Sequence, residues 1–310
     1  MIASPVAVTA DAPPTAPGRV EWATFTGAAG SRRYRLYLPA GYDERHPAPL
    51  VLMLHGCTQD AEDFARGTRM DAVADAQGLV LAYPEQPASA QVQKCWSWYD
   101  PAQSQGPASE AELLAGIVAD VAAKHAVDRR RTFVVGISAG GAMALNLAAA
   151  HPELFAGVVV HSGIAFGAAQ SVPAALAAMQ GNGLDAARLK DAAAAVLARG
   201  HGFPPLLVIH GVADPVARVA NGEALARQWI DAQGLHAVGE TATEQGGGLA
   251  FRRARWADAH GAVRVETIFI EGLGHAWSGG SVEGTFASPT GPDASREAAR
   301  FLLAQPGLPR

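Results

Sequence analysis

The chain has 310 residues, of which 49% are hydrophobic and 17% charged. That is enough apolar material for a sizeable core, and α/β chains of this length often fold as one unit. The formal net charge of −5, with no block of like charges, argues against a nucleic-acid partner or an anionic membrane surface, and no apolar run approaches the roughly 18 residues of a transmembrane helix.

In chain order, Met1 to Pro17 is rich in Ala, Pro and Thr and has no basic residue before Arg19. It does not read as a signal peptide. Residues 1–20 are expected to be a flexible leader, with one α/β domain over 21–310. Tyr34 to Leu38 alternates and reads as a half-exposed strand. Leu50–Leu54, Leu79–Ala82, Thr132–Val135, Gly157–Val160, Leu206–Ile209 and Val265–Ile270 are continuous apolar runs. Helical patterns fall between them at Ala61–Ala76, Ser109–His125, Ser138–Ala150, Asn221–Gln233 and Asp293–Leu303. Buried strands separated by helices imply a mostly parallel sheet covered on both faces. Phe251–Trp256 and Val263–Ile270 read as adjacent strands joined near Asp258–Gly261. Ser171 to Arg199 breaks the rhythm: it is alanine-rich, interrupted by Gly181-Asn182-Gly183, and reads as a short helical insertion before the next core strand. It is either a pair of surface helices or a cap.

Gly136-Ile137-Ser138-Ala139-Gly140 joins an apolar strand to an alanine-rich helix. Strand, G-x-S-x-G, helix is the context of a nucleophile elbow, in which flanking glycines make room for a sharp turn that exposes the serine hydroxyl. In the α/β-hydrolase fold the acid and then the histidine follow the serine. Asp214 fits the acid, because it lies just past the strand Leu206–Ile209, where catalytic groups of open α/β sheets gather. Of ten histidines, His275 fits the base. It stands in Gly272-Leu273-Gly274-His275, directly after the last strand. His55, His161 and His210 end strands and are expected to bond backbone.

An oxyanion hole needs two backbone donors. Ala139 is one. The loop His55-Gly56-Cys57-Thr58-Gln59 should supply the other, with Cys57 chosen ahead of Thr58. Cys57 and Cys95 are the two cysteines. They read either as unrelated buried thiols or as a disulfide. Trp96, Trp98 and, two residues past His275, Trp277 could be core packing or an apolar wall for substrate; substrate contact is the expectation carried forward. No metal or organic cofactor is required by this chemistry.

Leu54 to Gln59, Cys95 to Trp98, Gly136 to Gly141, Val160 to Gly163, His210 to Pro215, Gly272 to Gly280 and Gly291 to Ser295 together resemble the poly(3-hydroxybutyrate) depolymerase-type esterases. These are a branch of the α/β-hydrolases that includes feruloyl-esterase-like enzymes and also resembles poly(aspartic acid) hydrolases. The resemblance covers roughly Tyr34 to Leu303. It implies a Ser138–Asp214–His275 triad, a Cys57–Cys95 disulfide, and secretion or a periplasmic location. The substrate it implies is a carboxylic ester: soluble oligomers or amorphous polyester, or small acyl and aryl esters. A poly(aspartic acid) hydrolase would use the same triad on amides, and Arg66, Arg69 and Arg218 are the cations that could then serve a polyanion. A non-catalytic binding protein on the same fold is the reading from a different class.

Overall fold

The computed structural model describes residues 18–199, 202–239 and 241–309. It begins with a hairpin whose second strand contains the expected strand Tyr34–Leu38, which is buried rather than half-exposed because helices cover this end of the sheet too. β1 (Arg19–Gly27) and β2 (Gly30–Leu38) pair antiparallel, with Val20 opposite Tyr37. Arg19 and Val20, expected in the leader, are therefore strand residues, while the leader expected over Met1 to Pro17 lies outside the described residues.

β3 (Ala48–Leu54) follows, then α1 (Ala61–Thr68), α2 (Met70–Gln77), β4 (Val80–Pro84), α3 (Pro101–Gln105) and α4 (Glu110–Lys124). The second half of the core starts with β5 (Val127–Ile137), α5 (Ala139–Ala150) and β6 (Gly157–His161). The insertion carries α6 (Val172–Met179) and α7 (Ala186–Leu197). β7 (Leu206–Gly211), α8 (Ala220–Gln233), β8 (His236–Ala237), β9 (Ala242–Gly246), β10 (Leu249–Ala257), β11 (Val263–Ile270) and α9 (Ala294–Leu303) complete the chain.

Among the described residues, eleven strands form one sheet in the order β1-β2-β4-β3-β5-β6-β7-β11-β10-β8, with β9 beside β10. β4, β3, β5, β6, β7 and β11 run parallel. β10 and β11 are antiparallel, with Phe251 opposite Ile270. Both faces are covered, which is why the central strands read as unbroken apolar runs. Leu50, Leu52 and Leu54 join a core with Leu114 of α4, Leu145 of α5 and Trp229 of α8. Val51 and Met53 of the same strand join the opposite core, with Phe64 of α1, Met70 of α2 and Phe301 of α9. Each such side chain contributes about 2 kcal/mol by leaving water. Helix α5 is buried from Ala139 to Ala149; a helix sealed on all sides cannot be amphipathic, and small residues let its neighbours close in.

The expected helix Ala61–Ala76 is instead two helices. Arg69 sits between them at φ 55°, the left-handed region. The carbonyls there are taken by distant partners: Ser281 donates its amide to Gly67 O at 2.8 Å, and Ser295 Oγ donates to Thr68 O at 2.6 Å. Tertiary bonds have replaced the next helical turn. No described helix is long and apolar enough to cross a membrane.

Candidate active site

The ends of β3, β5, β7 and β11 converge at one edge of the sheet, because all four run parallel. Ser138 follows β5 at φ 56° and ψ −122°. That conformation costs on the order of 1–3 kcal/mol for a residue with a side chain, and it holds only where the surroundings enforce it. The enforcement is steric and polar. A Cβ on Gly136 would lie 2.3 Å from Gly140 O, and one on Gly140 would lie 2.1 Å from Leu54 O. The Ser138 amide donates to His161 O at 2.9 Å. The serine side chain then faces a cleft of about 190 Å³ that it shares with His275.

His275 Nδ1 bonds Asp214 Oδ2 at 2.7 Å. Asp214 is buried, and its Oδ1 accepts the amides of Val216 and Ala217, each at 2.9 Å. Burial alone would raise the Asp214 pKa. The hydrogen bond and charge of His275, the Ala217 amide and nearby His210 outweigh it and hold the carboxyl below its ordinary value. An ionised Asp214 keeps the proton of a neutral imidazole on Nδ1 and leaves Nε2 free to accept one. Among the described residues no hydrogen bond joins Ser138 Oγ to His275. Such contacts commonly tighten only once substrate is bound.

The loop after β3 presents its backbone to the same cleft through Gly56 and Cys57. Gly56 N donates to Gln59 Oε1 at 2.9 Å, and Gln59 Nε2 donates to Thr285 O at 2.9 Å, so Gln59 ties this loop to the one beyond His275. Thr58 donates its amide to Gln93 O at 2.6 Å. That leaves it unable to serve as an oxyanion donor. The amides of Cys57 and Ala139 have no protein acceptor among the described residues. A disulfide joins Cys57 to Cys95, with Cα atoms 4.2 Å apart.

The three strand-end histidines each bond a backbone group. His55 Nδ1 pairs with Gly56 O at 2.7 Å, and its Nε2 accepts from Gln86 N at 3.0 Å. His161 Nε2 accepts the Ser278 amide at 3.2 Å, and its ring stacks on Trp277 with centroids 5.2 Å apart. His210 Nε2 pairs with Ala217 O at 2.7 Å. Burial holds His55 at about 4 and His161 at about 3, so both are neutral at physiological pH.

The tryptophans expected to wall the cleft do not line it. Trp96 and Trp277 are 0% and 1% exposed, and Trp98 is buried in the core beneath α5. Trp96 Nε1 donates to His55 O at 3.1 Å, and Trp277 Nε1 to Ser295 Oγ at 3.1 Å. The indoles of Trp96 and Trp277 fill core volume and satisfy their single donors there, leaving no face for substrate. The residues that do line the cleft beside Ser138 and His275 include Gln93, Met179, Val216 and Phe286. They come from separate loops and carried no local signal, although Phe286 stays 42% exposed and sits edge-on to His275. None of Arg66, Arg69 and Arg218 is among the lining residues. Arg66 reaches Asp63, and Arg69 lies in a separate groove with Arg296 and Arg300. A larger hollow, about 550 Å³ around Phe203, Arg264 and Leu308, holds none of these groups.

Strand order and helix placement define an α/β-hydrolase fold. The chain belongs to the esterase PHB depolymerase family, which it matches over residues 32–247. It is similar to the poly(3-hydroxyalkanoate) depolymerase C of Paucimonas lemoignei, 30% identical over 245 residues, or 77% of this chain. The match spans 57% of that relative's length. It is also similar to the feruloyl esterase B of Thermothelomyces thermophilus, 27% identical over 77% of this chain and 82% of the relative. Among solved structures, an acetyl xylan esterase from Aspergillus awamori superposes with a TM-score of 0.72 at 20% identity, covering 92% of this chain and 98% of that one. An S-formylglutathione hydrolase from Agrobacterium tumefaciens superposes at 0.60 and 17% identity, over 93% and 96% of the two chains.

Proposed function

We propose that the chain hydrolyses uncharged carboxylic esters through an acyl-enzyme on Ser138. The observation that carries this reading is the 2.7 Å His275–Asp214 bond with the ring sharing a cleft with Ser138. Ser138 Oγ attacks the ester carbonyl as His275 Nε2 takes its proton. The amides of Cys57 and Ala139 receive the developing oxyanion, and Asp214 steadies the imidazolium. Collapse of the intermediate expels the alcohol, to which His275 returns the proton. Water then repeats the sequence on the acyl-enzyme and frees the acid.

The substrates we propose are polyester oligomers of the poly(3-hydroxybutyrate) kind, or small acyl and aryl esters. The named polymer depolymerase and feruloyl esterase among the relatives support that range. The cleft supports an uncharged substrate: Met179, Val216, Phe286 and Ile137 are apolar, and no lining residue is a lysine or arginine. A carboxylate buried there would go unpaired. We further propose that residues 21–310 act as one catalytic domain and that the protein works in an exported, oxidising compartment, for which the disulfide is the support.

A turnover panel tests the reading: p-nitrophenyl butyrate, methyl ferulate, poly(3-hydroxybutyrate) oligomers and poly(aspartic acid), each at low and high salt. Ester hydrolysis that changes little with salt is the expected result. Strong, salt-sensitive cleavage of poly(aspartic acid) with esters untouched would replace this reading with the amidohydrolase one.

A further inference from the structure

Met179, Val216 and Phe286 line the cleft but take no part in the proposed chemistry. Phe286 packs edge-on against His275, with centroids 5.9 Å apart. Met179 and Val216 come instead from the end of the insertion and from the loop that carries Asp214.

Met179 ends helix α6 of the insertion, and its position is fixed by the loop that carries the acid. Arg218 donates its amide to Met179 O at 2.8 Å. Asn221, fully buried, points Nδ2 at Ala178 O (2.8 Å), Met179 O (3.3 Å) and Arg218 O (3.2 Å). Gln180 Nε2 adds a bond to Val216 O at 3.4 Å. The Asn221 amide is used through its donors alone, since Oδ1 has no partner among the described residues. The end of the insertion is thus pinned to the stretch whose amides, Val216 and Ala217, hold Asp214. Bonds of this number and burial describe a fixed wall rather than a hinge.

We propose that Met179, positioned by Asn221, closes the acyl end of the cleft and restricts the enzyme to short acyl chains. The inference rests on the esterase reading above. The cleft's volume of about 190 Å³ falls below the roughly 300–1,000 Å³ of pockets that enclose a drug-sized ligand. Methionine is unbranched and flexible, so its side chain moulds to whatever short chain lies against it.

The test is the kcat/KM profile for p-nitrophenyl acetate, butyrate, hexanoate and octanoate. Ratios between esters do not depend on how much enzyme is folded. The wild type should decline beyond butyrate. Met179→Ala should raise the octanoate-to-acetate ratio by about tenfold or more, and Met179→Trp should lower the butyrate-to-acetate ratio by about as much, the scale on which a methylene is discriminated in an apolar pocket. Asn221→Asp, nearly isosteric but without donors, should shift the octanoate ratio in the direction of Met179→Ala. Ratios that stay fixed across both Met179 variants in an active esterase would overturn this inference alone. A wild type that hydrolyses none of the four would overturn the esterase reading and the inference with it.

Discussion

Opening the disulfide should cost stability first and rate second. Cys57 and Cys95 are 38 residues apart. A cross-link of that span removes unfolded-state entropy equivalent to roughly 4 kcal/mol at 25 °C. With an unfolding entropy of about 2.1 cal/mol/K per residue over some 300 residues, that corresponds to a Tm drop of about 6 °C. The effect on turnover should be milder. The Thr58 amide to Gln93 O bond, 2.6 Å, ties the same two loops one residue further on. Cys57 should therefore keep its approximate place, and kcat should fall by about tenfold, short of the roughly 10²–10³ lost when an oxyanion donor is removed outright. The assay is thermal unfolding and p-nitrophenyl butyrate turnover of Cys57→Ser/Cys95→Ser beside the oxidised wild type. A Tm within about 1 °C of wild type would refute the entropic reasoning. A loss of 10³ or more in kcat would mean that the disulfide alone holds the oxyanion loop.

Asp214→Asn should lower kcat by about 10⁴, because both the tautomer and the imidazolium lose their support; steady-state rates within a few-fold of wild type would move the acid elsewhere. Trp277→Ala should cost about 3–5 kcal/mol in urea unfolding by emptying a core site, while leaving KM for p-nitrophenyl butyrate near wild type; a large KM change with little loss of stability would put the indole back in the cleft. Stability should also fall as the medium is acidified. His161 and His55, held at about 3 and about 4 by burial, are neutral when folded. The unfolded chain, titrating near about 6.5, binds the extra protons, so stability is complete above that pH and is lost as pH falls towards the folded values. By pH 5 each histidine should cost about 2 kcal/mol relative to pH 7.5. Chemical denaturation at the two pH values checks this, and a flat stability across that interval would contradict it.

The sheet and the strand-end cluster were legible because their signals are local. A strand ending in Gly-x-Ser-x-Gly, an aspartate three residues past another strand, and a histidine in a glycine-bracketed loop each carry their placement in a few consecutive residues. What was not legible depends on contacts between distant segments. Trp277 stands two residues from His275 in sequence, yet its ring turns onto His161 and α9 rather than into the cleft. The break at Arg69 follows from partners at Ser281 and Ser295, more than two hundred residues away. β1 has no clean strand signal because Val20 and Trp22 face outward while Glu21, Ala23 and Phe25 face inward, so its apolar pattern is inverted in part. Met179, Val216 and Phe286 line one cleft only after folding, and no spacing in the chain announces them.

The most direct test of the central claim is to trap the acyl-enzyme. The enzyme is mixed with p-nitrophenyl acetate, quenched in acid within the first turnover, digested and mapped by mass spectrometry. Ser138→Ala, which should lose on the order of 10⁶ in kcat, serves as the control. One acetyl group on the peptide containing Ser138, absent from the Ser138→Ala sample, is the predicted result. Rapid turnover with no acetyl on that peptide, or near-wild-type hydrolysis by Ser138→Ala, would contradict the assignment of Ser138 as nucleophile.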